Sequence, residues 1–337
     1  MCGIIGIVGN KPVAERLVDG LRRMEYRGYD SAGICTIHEG ALVRRRAEGK
    51  LNNLIAELAD NPAPGEIGIA HTRWATHGAP TAKNAHPHAT EHVALVHNGI
   101  IENFKELRAE LRDAGRTLES DTDSEVVAHL VSELVENGRS PQEAVADVLP
   151  RLRGAFALAI AFRDHPDILI GARRGSPLVV GYGVNETYIG SDALALAPLT
   201  QEISYLEEGD WVVVTRDGAS IYDAENTAVT REIRNSGASA AAVEKGNYRH
   251  FMQKEIFEQP TVVAQTLGSY LRQSDNSVAL PQFDFDISRI KRVTIVACGT
   301  SYYAGMVAKY WFEQFARVPV DIDVASEFRY REPVLEE

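Results

Sequence analysis

The chain of 337 residues carries 47 acidic against 35 basic side chains, a formal net charge of −12, which excludes nucleic acid as a general partner because phosphate binding draws on clustered Lys and Arg. Hydrophobic residues make up 45% and charged residues 24%, so a core can be buried without disulfides or metal staples. Three scattered cysteines, Cys2, Cys35 and Cys298, make no CxxC pair, no run is long and apolar enough for a membrane span, and the first residues lack a signal peptide's basic and apolar segments; a cytoplasmic protein with no membrane partner is expected.

Up to about Asp223 the pattern predicts many short strands and a few helices. Cys2–Val8 reads as the first strand, and Val13–Met24 carries helical spacing at Val13, Leu17 and Leu21. The basic run Arg44, Arg45 and Arg46 reads as a solvated strand end. Ile67–His71 and Val93–His97, apolar runs bounded by turn residues, read as buried strands. Asn103–Asp113 is an amphipathic helix stopped by Gly115, and Ser124–Glu136 is another, closed by Asn137-Gly138. Strand-like runs follow at Ala155–Phe162, Ile168–Ala172, Pro177–Tyr182, Thr187–Ile189 and Trp211–Thr215, the last turning at Asp217-Gly218 into Ala219–Tyr222 as a hairpin.

From about Glu225 the texture changes. Ser236–Val243 is small and polar and suits a linker, and Tyr248–Leu271 reads as mostly helical. Val293–Cys298 is an apolar strand, followed by a Gly299-Thr300-Ser301 turn, a helix over Tyr302–Phe315 and a second strand at Val320–Val324. That is the start of a βαβ unit. So short a piece cannot cover both faces of a parallel sheet, so the natural protein is expected to continue and this chain to be a fragment.

The chemistry begins at Met1-Cys2-Gly3. Methionine before a small residue is the kind of start that processing removes, which exposes Cys2 with a free α-amine. That amine is a base for its own thiol, as in N-terminal nucleophiles generally; the ordinary alternative is a small buried hydrophobe opening a strand. Three further segments surround it: the polar loop His71–Gly78 with Arg73, the strand end His97-Asn98-Gly99, and Ser120–Glu125 opening a helix. A glutamine substrate asks for a guanidinium on its α-carboxylate, which Arg73 offers. Its α-ammonium asks for a carboxylate, which Asp123 offers, and its carbonyl asks for aimed donors as it becomes an oxyanion, which Asn98 and Gly99 offer. Each has an ordinary alternative: a surface ion pair for Arg73, a tight turn for Asn98-Gly99, a helix cap for Asp123. Thr122 and Glu125 fit a capping box that leaves the Asp123 carboxylate free. Singly the ordinary readings prevail; together, beside an N-terminal Cys, they do not. His71, His77, His86, His88, His92 and His97 invite a metal reading with an open catalytic-zinc pattern, but His86-Pro87-His88 in a loop cannot pair its rings as an i, i+4 helical pair does. Hydrogen bonding around the site and loop anchoring are the expected roles, with no metal and no cofactor.

These motifs together resemble the class II (N-terminal nucleophile) glutamine amidotransferases, and within them the branch that aminates fructose-6-phosphate. The likeness is carried by Met1–Gly6, Glu25–Gly33, His71–Gly78, His86–His88, Val96–Asn103, Thr122–Glu125 and Leu152–Ala155. Beyond these it is carried by Tyr248–Ile256, Ala297–Ser301, Tyr310–Glu313 and Ser326–Arg331. The resemblance implies an α+β fold: a four-layer αββα glutaminase domain over 2–223, a linker and helical segment over 224–285, and over 286–337 the start of the first of two α/β sugar-isomerase (SIS) domains. It implies that Cys2 is the nucleophile, that Asn98 and Gly99 form the oxyanion hole, and that Arg73, Thr76, His77 and Asp123 hold glutamine. It further implies that Trp74 gates an ammonia channel, that Arg27 lies next to the nucleophile, and that Gly299, Thr300 and Ser301 are part of a sugar-phosphate site. The implied reaction turns L-glutamine and fructose-6-phosphate into glutamate and glucosamine-6-phosphate in a cytoplasmic enzyme, a homodimer when full length. The second SIS domain and the rest of the first lie outside this sequence. Two rivals stand beside this reading: another class II amidotransferase, such as amidophosphoribosyltransferase, and a non-enzymatic SIS-type sugar-phosphate sensor.

Overall fold

In β1 (Gly3–Val8) every residue is buried, but alternate side chains are buried in different places: Ile4 and Val8 join one apolar cluster, Ile5 and Ile7 another. A strand buried on both faces must lie between two layers, and that requirement organises the first part of the chain. The computed structural model describes residues 2–236, 248–272, 277–278 and 285–334. They divide into two compact units, Met1–Ile256 and Phe257–Glu337.

The first unit continues with α1 (Ala14–Arg22), β2 (Ser31–His38), β3 (Ala41–Glu48), α2 (Leu51–Asp60), β4 (Ile67–Arg73), β5 (His88–Ala89) and β6 (Val93–Ile101). Three helices follow, α3 (Phe104–Asp113), α4 (Glu125–Glu136) and α5 (Pro141–Val148), then β7 (Gly154–Phe162), β8 (Leu169–Arg174), β9 (Val179–Gly183) and β10 (Glu186–Gly190). A short α6 (Ala193–Leu196) precedes β11 (Glu202–Tyr205), β12 (Trp211–Thr215), β13 (Gly218–Tyr222), β14 (Ala228–Val229) and β15 (Arg234–Asn235). The strands make an eight-stranded sheet in the order β15-β11-β9-β10-β1-β4-β2-β3 and a seven-stranded sheet in the order β14-β13-β12-β8-β7-β6-β5. The ladders of both sheets are antiparallel.

Side-chain size sets the layering. In β7, Phe156, Leu158, Ile160 and Phe162 point to α3, α4 and α5, while Ala157, Ala159 and Ala161 face the other sheet. That alanine stripe lets the sheets approach, and Ile4, Val8, Cys35 and Ile69 fill the layer from the opposite side. On the outer face of the first sheet, Leu17 and Leu21 of α1, Leu51 and Leu54 of α2 and Leu196 of α6 cover Ile5, Ile7 and Ile34. The layers are therefore helices, sheet, sheet, helices: the αββα architecture expected from the sequence.

Several local expectations need correction. The strand read as ending at His97 continues as β6 to Ile101, because β7 pairs with it residue for residue from Val93 to Ile101; Asn98-Gly99 is strand, not turn. Arg44, Arg45 and Arg46 are half-buried in β3, not solvated. Their guanidinium groups donate to backbone carbonyls of Pro87, of Asn61 and Pro62, and of Lys83 and Ala85 respectively. The expected capping box at Thr122 is absent: α4 begins after Ser124 with no side-chain cap, and Glu125 instead accepts from the Glu119 and Ser120 amides and the Ser120 hydroxyl. Apart from Ser236, the expected linker Ser236–Val243 lies outside the described residues.

After the helix α7 (Phe251–Tyr270), β16 (Val293–Ala297) and β17 (Val320–Val324) of the second unit pair in parallel across five residues, with α8 (Gly299–Trp311) between them in sequence. Gly305 of α8 is buried against Ile295 and Ile322, where a Cβ would come within 2.9 Å of both side chains. The helix opens at Gly299 rather than Tyr302, because a positive φ of 59° at Gly299 turns the backbone directly out of the extended Cys298.

Candidate active site

The alternation that fills the inter-sheet layer does not stop where the hydrophobic residues do. Cys2 precedes Ile4 on β1, His71 and Arg73 follow Ile67 and Ile69 on β4, Asn98 follows Ala94 and Val96 on β6, and Ser191 follows Ile189 beyond β10. With a period of two residues, these polar side chains inherit the inward direction of their apolar neighbours. They meet at one end of the sandwich, where they line a cavity of about 390 Å³, a size ordinary for a small-molecule site. Its walls also include Arg27, Trp74, Thr76, His77, Gly99 and Asp123. The first-unit residues expected to act on glutamine are thus brought together, while His92 lies elsewhere and Gly299, Thr300 and Ser301 form the exposed first turn of α8 in the second unit.

Cys2 Sγ accepts the Trp74 amide at 3.1 Å. Burial holds the thiol pKa above its usual value, and the Trp74 hydrogen bond and Arg73 charge offset only part of that rise. The Cys2 carbonyl oxygen accepts from Asn98 Nδ2 at 3.2 Å and Arg27 Nη1 at 3.4 Å. An asparagine NH₂ has two hydrogens, so one N–H of Asn98 remains for a second acceptor. Gly99 lies beside it at φ 125°, and a Cβ there would fall 2.0 Å from the Ala155 carbonyl oxygen. Only glycine fits this point of close strand pairing. Gly3 is similarly confined, by Met24 and the Thr72 hydroxyl.

Arg73 is buried, and three of its donations go to its own loop, to the carbonyls of His77, Gly78 (3.1 Å) and Ala79 (3.2 Å). Asp30 supports it from behind: its Oδ1 lies 3.8 Å from Arg73 Nη1, and its Oδ2 accepts the Ala75 amide at 2.5 Å. Trp74 is 54% exposed and its ring lies over Gly28, where φ is 76° and a Cβ would come within 2.7 Å of the indole. Asp123 is buried, one oxygen accepting the Ile101 amide at 2.8 Å and the other 3.9 Å from His77 Nδ1. Thr76 lies at the rim, its hydroxyl 3.4 Å from His77 Nδ1. Arg27 is fixed by an ion pair with Asp192 and by the Tyr26 hydroxyl.

The histidines hold the frame. His71 Nε2 meets Asn98 Oδ1 at 2.9 Å and its ring stacks on His86 at 4.3 Å. His86 Nδ1 accepts the His97 amide, His97 Nδ1 meets the Ser124 hydroxyl at 2.8 Å, and His88 Nε2 meets Thr122 Oγ1 at 3.0 Å. Burial pushes all four down, His71 and His88 to about 3, His86 well below its usual value and His97 more mildly, so these rings are neutral. Asp30, Asp192 and Ser191 carry site geometry that the sequence reading did not assign, whereas His71 takes the hydrogen-bonding role expected of the histidines.

Residues 71–198 match the glutamine amidotransferase domain, and residues 286–337 match the SIS domain. Over all 337 residues the chain is 70% identical to a glutamine–fructose-6-phosphate aminotransferase (isomerizing) of Zymomonas mobilis, covering 56% of that protein. It is 61% identical over 98% of its length to the protein of that name from Brucella suis, covering 55% of it. The chain contains a glutamine amidotransferase domain and a segment that matches an SIS domain. It spans about half the length of the curated relatives it matches. The fold is also that of the glutamine phosphoribosylpyrophosphate amidotransferase of B. subtilis, with TM-score 0.59 and 19% identity over 95% of this chain and 65% of that one. The amidotransferase match opens at His71 and leaves out Cys2 and Arg27; the pairing of β1 with β4 brings Cys2 to the matched segment, and Arg27 lines the same cavity, donating to the Cys2 carbonyl.

Proposed function

We propose that the first unit hydrolyses L-glutamine to glutamate and ammonia through a thioester on Cys2. The observation that carries this is a thiol at the wall of a 390 Å³ cavity together with an amide donor, a guanidinium and a buried carboxylate. After removal of Met1, the α-amine of Cys2 takes the thiol proton; amine and thiol have similar acidities in model peptides, about 8 and 8.5. The thiolate attacks the carboxamide carbon, and the C–S bond forms as the carbonyl becomes an oxyanion. The free N–H of Asn98 and the Gly99 amide receive that charge. The α-ammonium returns its proton to nitrogen as the C–N bond breaks and ammonia leaves. Water then cleaves the thioester to glutamate. Asp123, with one oxygen facing His77, receives the substrate α-ammonium; Arg73 keeps donors not committed to its loop for the α-carboxylate, and Thr76 and His77 close the rim.

In the full-length protein the ammonia passes to fructose-6-phosphate to make glucosamine-6-phosphate, with Trp74 at the exit and Gly299, Thr300 and Ser301 contributing to the sugar-phosphate site. The relatives' names and the SIS match support this. The proposed domains are 2–223, 224–285 and 286–337. No helix among the described residues is long and apolar enough to cross a membrane, and a cytoplasmic enzyme is the reading that fits its three free cysteines. The test is glutamate release from glutamine by this chain, with Cys2→Ala as the blank; no release by wild-type protein lacking Met1 would overturn the reading.

A further inference from the structure

We propose that His71 is a positioning residue that fixes which end of the Asn98 carboxamide faces the reacting thiol, and that it does so as a neutral ring protonated on Nε2. The proposal rests on the glutaminase reading for its kinetic consequence, but its geometry stands alone.

The two ends of an asparagine amide have nearly the same shape, and only their partners tell them apart. One end of Asn98 lies 3.2 Å from the Cys2 carbonyl oxygen. A carbonyl oxygen only accepts, so that end is the NH₂. The other end is therefore Oδ1, and it lies 2.9 Å from His71 Nε2. An oxygen needs a donor there, so Nε2 carries the proton. The other nitrogen, Nδ1, is buried with no hydrogen-bond partner of good geometry among the described residues. Burial keeps the ring from acquiring a second proton, with a pKa pushed down to about 3, and stacking on His86 at 4.3 Å and 17° fixes its plane.

His71 sits on β4 of one sheet and Asn98 on β6 of the other, so the hydrogen bond ties the oxyanion donor to the sheet that also carries β1 and Cys2. Without the Nε2–H, nothing on the β4 side holds Oδ1 away from the thiol. A flipped amide would present lone pairs to the developing oxyanion and to the Cys2 carbonyl.

The test compares His71→Leu, which deletes the donor, with His71→Gln, which supplies an amide donor in its place, each alone and with Asn98→Ala. His71→Leu is expected to lower kcat roughly 100-fold, the scale of a lost oxyanion donor, with KM little changed, and His71→Gln to recover most of it. In the Asn98→Ala background His71→Leu is expected to add nothing, since no amide remains to orient. Additive losses, equal losses for Leu and Gln, or an unchanged kcat in His71→Leu would overturn the proposal. Should His71→Leu fail to fold, His71→Gln and the ¹⁵N shifts of the wild-type ring decide. The expected pattern is a neutral ring protonated on Nε2 at pH 7, and protonation on Nδ1 or on both nitrogens contradicts it. Wild-type protein that releases no glutamate refutes the glutaminase reading instead, and the tautomer measurement still decides the geometry.

Discussion

At the scale of single residues, the three cysteines show how environment selects a nucleophile. Cys35 is fully buried in β2 and burial pushes its thiol up to about 12, so it is a thiol at any working pH. Cys298 is exposed at the start of α8. Cys2 lines the cavity and meets an amide donor. Cys2→Ala is therefore expected to abolish glutamate release while leaving the thermal transition in place, whereas substitution of Cys35 by Ala or of Cys298 by Ser retains activity in whatever protein remains folded. Residual turnover within a few-fold of wild type in Cys2→Ala would contradict this. Asn98→Ala should depress kcat by about 2.7–4 kcal/mol of barrier and affect KM less, because its donor acts on charge that develops in the transition state. Arg73→Lys and Asp123→Asn should instead raise KM: an ammonium cannot grip both carboxylate oxygens, and an amide cannot pair with the substrate ammonium. Arg73→Lys also removes donations to three loop carbonyls, so its loss should be the larger of the two.

At the scale of elements, the histidine frame makes a pH prediction. His71, His86, His88 and His97 are neutral in the folded chain, with pKa values below the usual 6.5 and down to about 3 for His71 and His88. The unfolded chain takes up protons at these sites as pH falls below 6.5 and the folded chain does not, so stability present above that pH is lost on the way down toward 3. Each site contributes at most about 1.4 kcal/mol per pH unit in that window. Thermal unfolding should shift clearly downward between pH 7 and 5, above the range where carboxylates titrate; an unchanged Tm over that interval would mean the rings are solvated. Much of this element structure was legible. Continuous apolar runs at Cys2–Val8 and Val93–His97 placed two central strands, and helical spacing placed α1, α3 and α4. What was missed has physical causes. β2 was not delimited, β3 was read only as a strand end at Arg44–Arg46, and α2, with Leu51, Leu54 and Leu58 on one face, was passed over because two asparagines interrupt its start. The Ser140–Glu143 capping box that opens α5 was legible by the same rule that was misapplied at Thr122. At Thr122 the rule failed because the Glu125 carboxylate accepts from the Glu119 and Ser120 amides instead of the Thr122 backbone. Among site residues, motif chemistry found the groups that face the cavity. Asp30 and Asp192 act through Arg73, Ala75 and Arg27, and such indirect contacts have no local signature in a sequence.

At the scale of the whole molecule, the second unit sets a limit on what this chain can do. Moving a proton between adjacent sugar carbons needs an acid–base pair beside a closed site, and an open α/β sheet builds its crevice at the carboxyl ends of several strands. The described part of the second unit supplies the parallel pair β16 and β17, with Thr300 and Ser301 exposed at the start of α8. Backbone amides at that helix start favour an anion, but a half-site of this kind should bind fructose-6-phosphate weakly. Supplied with glutamine and fructose-6-phosphate together, this chain is expected to release glutamate and no amino sugar; stoichiometric amino sugar would show that the chain holds a complete acceptor site. The central claim is narrower, that glutamine is opened by Cys2 after Met1 has been removed, and the most direct measurement is intact mass with peptide mapping of protein quenched during turnover with glutamine. The account predicts a glutamyl adduct on the peptide that begins at Cys2, confined to chains lacking Met1 and absent from Cys2→Ala. An adduct on Cys35 or Cys298, or steady glutamate release from chains that retain Met1, would contradict it.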